Sequence, residues 1–372
     1  MKSKKVGILT WHYFLNFGSA LQAYALKRTI SQMGYDCRII DYRDPRHGMP
    51  DKKKDICRLT LSRLLSWKGK VLGRNITYPF LRFQRGFLKL KLQAIDDAAL
   101  VDKTKCFDTI VCGSDQIWAP NILNTRYLLD FAGENIKKVS YAASIGLENI
   151  PQEKQHLYKE NLAQFKSISV REGKGRTLLR ESCGVEATVV LDPTLLVDCS
   201  HWKTLQRKPT DIVFDENKPF LFCYFLNANH LYTEAVKQFA VANGLQIIGY
   251  SLNQADKEWM IDITKLIGPR EFLWFVCNAA TVITDSYHGT IFSLLNHKQF
   301  ISLQRFRTSD ELCQNSRIEQ LNKHFDIAER IVEVDETTQL NVAQYDYEKF
   351  EQKLAALRKQ SMRFLENALK GI

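Results

Sequence analysis

Apolar positions in this chain fall into short continuous runs, separated by stretches where they recur every three or four residues. "KKVGILTW" has strand length, and "SALQAYALKRTISQMG" places Leu21, Tyr24, Ala25 and Ile30 on one helical face with Gly34 as a stop. "YDCRIIDYR" reads as a second strand. Beyond a basic stretch come "FDTIVCGSDQIW" (strand then loop), "KKVSYAAS" (strand), "EKQHLYKENLAQF" (helix), "KSISVRE" (strand) and "EATVVLDPTLL" (strand then turn). The polar, twice-prolyl stretch "HWKTLQRKPTDIVFDENKP" interrupts the alternation and marks a linker near residues 200 to 217. The pattern resumes with "FLFCYFL" (strand), "LYTEAVKQFAVANG" (helix), "LQIIGY" (strand), "REFLWFVCNA" (helix), "ATVITD" (strand) and "KQFISLQ" (strand). The end, "YDYEKFEQKLAALRKQSMRFLENALKG", is a long amphipathic helix. Strands interleaved with helices predict parallel sheets covered on both faces, hence an α/β fold. Two domains facing a cleft are expected, over 1–205 and 206–344, followed by the helix at 345–372.

Composition narrows the class without naming a function. A chain of 372 residues is long for one core, which supports two domains. No apolar stretch reaches the roughly 20 residues of a membrane span. The start, "MKSKKVGILTW", has no small-residue cleavage site after its apolar run and reads as a first strand rather than a signal peptide. The nine cysteines are scattered with no CxxC pair, which indicates neither a disulfide framework nor a zinc site and fits a reducing cytoplasm. No metal or cofactor is called for. The net charge of +11 is almost entirely local: residues 51 to 92 carry twelve Lys and Arg against Asp51 and Asp55.

Four loops that follow predicted strands hold the candidate chemistry. In "WHYFLNFGSALQ", Asn16, Gly18 and Ser19 precede a helix, where free backbone amides can hold an anion; a plain N-cap is the alternative. In "VCGSDQIW", Gly113 permits a tight turn, Ser114 and Asp115 offer polar groups, and Trp118 offers a stacking surface. In "SISVREGKG", Arg171 emerges at a sheet edge with a planar fork suited to carboxylate or phosphate, unless it merely pairs with Glu172 at the surface. In "TDSYHGTIF", His288 stands between a strand and a helix, flanked by Asp285, Ser286 and Thr290, where open α/β sheets bind ligands. No GxGxxG fingerprint, P-loop, HExxH or GxSxG is present, which removes the commonest α/β enzyme classes.

Taken in order, "NFGSALQAYALKRTISQMGYDCRIIDYR", "FDTIVCGSDQIW", "KKVSYAASIG", "SVRE", "VLDPTLL", "GPREFLWFVCNAATVITDSYHGTIFSLLNHKQFI" and "NSRIEQLN" resemble the polysaccharide pyruvyl transferase family from about residue 6 to about residue 330. The resemblance implies two Rossmann-like domains similar to GT-B glycosyltransferases, with the acceptor on the first domain's side. It implies transfer of a pyruvyl group from phosphoenolpyruvate to hydroxyls of a cell-surface glycan or its precursor, forming a ketal without a metal. The family's donor-site arginine falls on Arg171, and the histidine of its Arg-x-His arrangement falls on His288. Ser286 stands where that arginine is expected, so another cation must balance the donor; Arg317, Arg270 and Lys265 are the candidates. Amides of Gly289 and Thr290 could hold an anionic group. Imidazole exchanges protons near neutral pH, which suits His288 to deliver a proton, and Asp115 is the candidate for activating the acceptor hydroxyl.

The basic segment "DKKKDICRLTLSRLLSWKGKVLG" places Ile56, Leu59, Leu64, Trp67 and Val71 on about one helical face. A peripheral contact with an anionic membrane at its inner face, near a lipid-linked acceptor, and a solvated helix packed on the first domain are the two readings. Nucleic-acid binding is not expected, for want of any recognition motif. The rival activity is a GT-B glycosyltransferase that uses a nucleotide sugar.

Overall fold

The computed structural model describes residues 4–47, 77–90, 95–227, 230–264, 266–306, 310 and 313–371. The basic insert expected over 51–92 therefore lies outside the described residues except for 77–90, and so does Lys265.

The first sheet is parallel, in the order β2-β1-β3-β4, from β1 (Lys5–Leu9), β2 (Asp36–Ile39), β3 (Thr109–Cys112) and β4 (Lys137–Ser140). The short pair β5 (Ser169–Val170) and β6 (Thr188–Val189) continues it past β4 through bridges at Val139–Ser167 and Ala143–Val170. Its helices are α1 (Phe17–Gln32), α2 (Thr77–Phe83), α3 (Asp97–Thr104), α4 (Gln152–Leu162), α5 (Gly173–Cys183) and α6 (Cys199–Leu205).

The second sheet is parallel throughout, in the order β12-β11-β10-β7-β8-β9. Its strands are β7 (Phe220–Phe225), β8 (Gln246–Ser251), β9 (Ile261–Asp262), β10 (Thr281–Thr284), β11 (Gln299–Leu303) and β12 (Ile331–Val332). Counted from β7, this is the doubly wound order 3-2-1-4-5-6, which reverses between β7 and β10. The "FLFCYF" of β7 is buried at every position, as a central parallel strand covered on both faces requires. The helices here are α7 (Leu231–Ala242), α8 (Pro269–Asn278), α9 (Tyr287–Leu295), α10 (Ser316–Phe325) and α11 (Tyr347–Lys370).

The two sheets share one contiguous apolar core. Phe17, at the start of α1, packs on Phe80 and also on Tyr224, Tyr250 and Phe272 of the second sheet's layer. Helix α11 straps the halves together. Near its start Phe350 packs on Phe325, while further along Arg358 donates to the Leu195 carbonyl at 2.8 Å. Its C-terminal carbonyls are then capped by Lys137, whose ammonium donates to Leu369 O at 2.5 Å. No helix among the described residues is long and apolar enough to cross a membrane.

Candidate active site

Each sheet has a switch point, between β1 and β3 in the first and between β7 and β10 in the second, and crevices for ligands open at the carboxyl ends of such strands. The two crevices face each other. The contact that shows it is Gly18 of α1 against His288 of α9: a Cβ on Gly18 would lie 2.1 Å from Nδ1 and 2.4 Å from Cγ of the imidazole. Glycine at 18 therefore serves a close approach across the cleft.

The first-sheet loops are knitted by buried side chains. Gln22 donates through Nε2 to Thr10 Oγ1, Trp11 O and Ser19 O, and its Oε1 accepts from Ser114 N at 3.2 Å. Gly113 has φ +116, and a Cβ there would meet the Tyr141 carbonyl at 2.1 Å, so the β3 turn needs glycine. Asp115 follows with φ 76, an uncommon conformation for a non-glycine residue and one that recurs at functional sites. Its Oδ2 accepts from Ser19 Oγ at 2.5 Å and its Oδ1 from Gln116 N at 2.9 Å. Asn16 caps α1 by accepting from Ser19 N at 3.1 Å. The polar groups of this loop are thus engaged within the protein, and the N-cap alternative, rather than an anion-holding turn, describes Asn16.

Beside this loop lies a buried cluster of charge. Arg171, 2 % exposed, donates through Nη1 to Asp192 Oδ2 at 3.0 Å and stacks its guanidinium 4.3 Å from the Tyr287 ring centroid. Its Nε and Nη2 have no hydrogen-bond partner among the described residues. Burial alone would lower the Arg171 pKa, but Tyr287, Asp192, Glu172 and Asp115 reverse this and raise it. The pairing with Glu172 considered from sequence is present but not at the surface: Glu172 is fully buried, and its Oε1 accepts from Ser144 Oγ, Ile145 N and Gly146 N. Its Oε2 lies 3.9 Å from Arg171 Nε, an ion pair without a hydrogen bond. Asp192 fixes its Oδ1 on Thr194 N and Oγ1, and its Oδ2 also accepts from Ser114 Oγ at 3.1 Å.

From the second sheet, Ser286 N-caps α9 by accepting from Gly289 N at 3.3 Å, and Thr290 N donates to Ser286 O at 2.9 Å. The amides of Gly289 and Thr290 are therefore committed to the helix start, which corrects the reading that they hold an anion. Gly289 is glycine because a Cβ would strike Thr284 Oγ1 at 2.4 Å, and the Thr290 hydroxyl turns inward to Ser302. His288 lies in the first turn of α9, not in the preceding turn, and is only 6 % exposed. Its Nε2 sits 3.5 Å from Asp192 Oδ2, too long for a hydrogen bond, and has no partner of its own.

Two further arginines complete the cluster. Arg305, after β11, donates through Nη2 to the Asp285 carbonyl at 3.0 Å, beside Ser286, and its buried Nε is unpartnered. Arg317, on α10, donates to Gln314, which also binds Gln116 from the first sheet's side. Burial first, then Arg171 and Arg305, disfavour the Arg317 charge and lower its pKa. Guanidiniums that repel one another and keep unpartnered donors form a site for an anion.

Of the residues picked from sequence, the structure gathers Ser19, Ser114, Asp115, Arg171, Ser286, His288 and Arg317 at one cleft. Arg270 falls elsewhere, donating to Leu205 O and lying over Phe87. Trp118 is a core residue, fully buried with Nε1 on Tyr127 O, and offers no stacking surface. Glu172, Asp192, Tyr287 and Arg305 were missed as site residues. An arginine just after a strand was the available signal for Arg305, and an aspartate opening a turn after a strand was the signal for Asp192.

No curated protein matches the chain. Among solved structures it is similar to UDP-GlcNAc 2-epimerase from Methanocaldococcus jannaschii (11% identity, 95% of this chain and 92% of that one, TM-score 0.52). It is likewise similar to UDP-GlcNAc 2-epimerase from Neisseria meningitidis bound to UDP-GlcNAc (10% identity, 99% and 100%, TM-score 0.51). These likenesses show the fold, which is GT-B. The model of the family described as polysaccharide pyruvyl transferase matches residues 16–305, a stretch that holds the second sheet's switch point, Arg171, His288 and Arg305. With its two facing sheets and that match over most of its length, the chain is a transferase that belongs to the polysaccharide pyruvyl transferase family.

Proposed function

We propose that this transferase moves a pyruvyl group from phosphoenolpyruvate to hydroxyls of a cell-surface glycan or its precursor. The observation that carries the reading is the cluster of Arg171, Arg305 and Arg317, with three buried guanidinium N–H groups unpartnered beside His288. Phosphoenolpyruvate brings a phosphate and a carboxylate on one carbon, and a set of forked cations suits two such anions at once. Arg305 restores, from the neighbouring strand, the positive charge that Ser286 does not provide, because its Nη2 rests against the carbonyl of the residue before Ser286.

The chemistry follows from the groups present. His288 delivers a proton to the methylene carbon, which becomes a methyl group and leaves positive charge at the central carbon. A glycan hydroxyl bonds that carbon and gives up its proton; phosphate departs with the electron pair of its C–O bond. A second hydroxyl then bonds the same carbon and loses its proton, closing the ketal. Asp115 reaches the acceptor by way of Ser19, whose hydroxyl it holds at 2.5 Å. The arginines stabilise the departing phosphate.

Calorimetric titration with phosphoenolpyruvate, and separately with UDP- and GDP-sugars, tests the reading. Binding of phosphoenolpyruvate that is lost in Arg305→Ala supports it. Binding of a nucleotide sugar alone replaces it with the glycosyltransferase reading.

A further inference from the structure

Asp192 joins the two halves of the site. Its carboxylate follows β6 of the first sheet, is 1 % exposed, and is locked by Thr194, which donates to Oδ1 from both N (2.9 Å) and Oγ1 (2.7 Å). The backbone before it is pinned as well: Leu191 N donates to Ser361 Oγ of α11 at 2.9 Å, and Leu191 O accepts from Tyr141 OH at 3.1 Å. Only Oδ2 is left to face the cleft. There it meets Arg171 Nη1 at 3.0 Å, Ser114 Oγ at 3.1 Å, and His288 Nε2 of the opposite sheet at 3.5 Å. Among the described residues no other carboxylate lies within ion-pair reach of the imidazole.

We propose, building on the pyruvyl-transfer reading, that Asp192 is a positioning residue that holds one arm of the Arg171 fork and so aims its remaining N–H groups at the anionic donor. The arrangement divides the Arg171 fork: Nη1 is held by Asp192, and Nε and Nη2 stay free for the ligand. It also orients the ring, because the Nδ1 side is closed by Gly18 and the Nε2 side looks at Oδ2. Burial by itself would raise the Asp192 carboxyl, but His288, Arg171 and Thr194 outweigh it and hold the group below the usual carboxylate range. The other charged groups around the pair are Arg171 and Glu172 after β5, Asp115 after β3, Arg305 after β11 and Arg317 on α10, with the Tyr287 hydroxyl on His288's own helix.

The test uses the full chain in calorimetric titrations with phosphoenolpyruvate and, separately, inorganic phosphate. A carboxylate that only subtracts positive charge would let an anion bind tighter once neutralised, whereas one that aims Arg171 makes it bind weaker. In Asp192→Asn, affinity for both anions should therefore fall by about tenfold, and the fall should vanish in an Arg171→Ala background. Unchanged or tighter binding in a folded Asp192→Asn protein would overturn the proposal. Should that variant not fold, Thr194→Val, which keeps the carboxylate but loosens it, should weaken both anions in the same direction, and no change there overturns it equally. Inorganic phosphate reads the aim of Arg171 even if phosphoenolpyruvate fails to bind wild type, the result that would sink the donor reading instead.

Discussion

Replacing Gly18 with Ala probes the cross-cleft contact without removing a candidate catalytic group. The new Cβ would lie 2.1 Å from Nδ1, 2.4 Å from Cγ and 2.9 Å from Cβ of His288, where unstrained contacts need about 3.5 Å. Turning the ring does not relieve the last of these, because the His288 Cβ is fixed by the backbone of α9. Either the imidazole or the first turn of α1 must shift by roughly 1 Å or more, and overpacking of this kind costs about 1–3 kcal/mol. Against it stands the gain of about 0.5–1 kcal/mol for Ala over Gly within a helix. Gly18→Ala should therefore destabilise the wild type more than it does His288→Ala, in which the ring contacts at 2.1 and 2.4 Å are gone and only the Cβ contact at 2.9 Å remains. Urea unfolding of the four proteins in a double-mutant cycle measures this directly, with a coupling on the order of 1–3 kcal/mol. Turnover in Gly18→Ala should drop by about 100-fold, as expected when a reacting group is misplaced by about 1 Å. If Gly18→Ala has the same effect on stability in both backgrounds, the imidazole does not rest on Gly18 and the closed cleft is wrong.

Arg171→Lys keeps the charge but loses the fork, so affinity for phosphoenolpyruvate in calorimetry should fall by about tenfold, with acceptor affinity changed much less. Phe17→Ala removes the ring that joins both sheets' cores and should cost about 3–5 kcal/mol in denaturant unfolding; a loss below about 1 kcal/mol would mean the halves are not packed through it. Burial, followed by Lys323 and Lys353, pushes His324 down to about 4. As pH falls below about 6.5, the unfolded chain's imidazole takes up a proton that the folded one refuses, so stability is full above that value and declines toward pH 4. In His324→Gln, melting temperatures should show less of this decline between pH 6.5 and 4.

The strands were legible because buried parallel strands are continuous apolar runs, as in "FLFCYF" and "TIVC". Helices α5 and α10 were not. The first opens on Gly173 and Gly175, poor helix formers, and the second, "SRIEQLNKHF", buries only Ser316, Leu321 and Phe325. Strands of two residues such as β9 and β12 are too short to show a period. In the site, Arg171, Asp115 and His288 could be found because a polar residue at a strand's end signals a crevice. The meaning of Asp192 and Arg305 depends on strand order, since β6 joins the first sheet through β5 and β11 lies beside β10, and sequence alone does not reveal that order. Gly18 read as a turn for an anion because its reason, the His288 ring, belongs to the other sheet.

The most direct test of the account is to incubate the purified protein with phosphoenolpyruvate and oligosaccharide acceptors, following released phosphate and the acceptor's mass together. Pyruvyl transfer predicts one phosphate per acceptor modified, with the acceptor heavier by pyruvic acid less one water, and neither change in His288→Ala. An acceptor that gains a hexose mass from a nucleotide sugar, with phosphoenolpyruvate untouched, would contradict it.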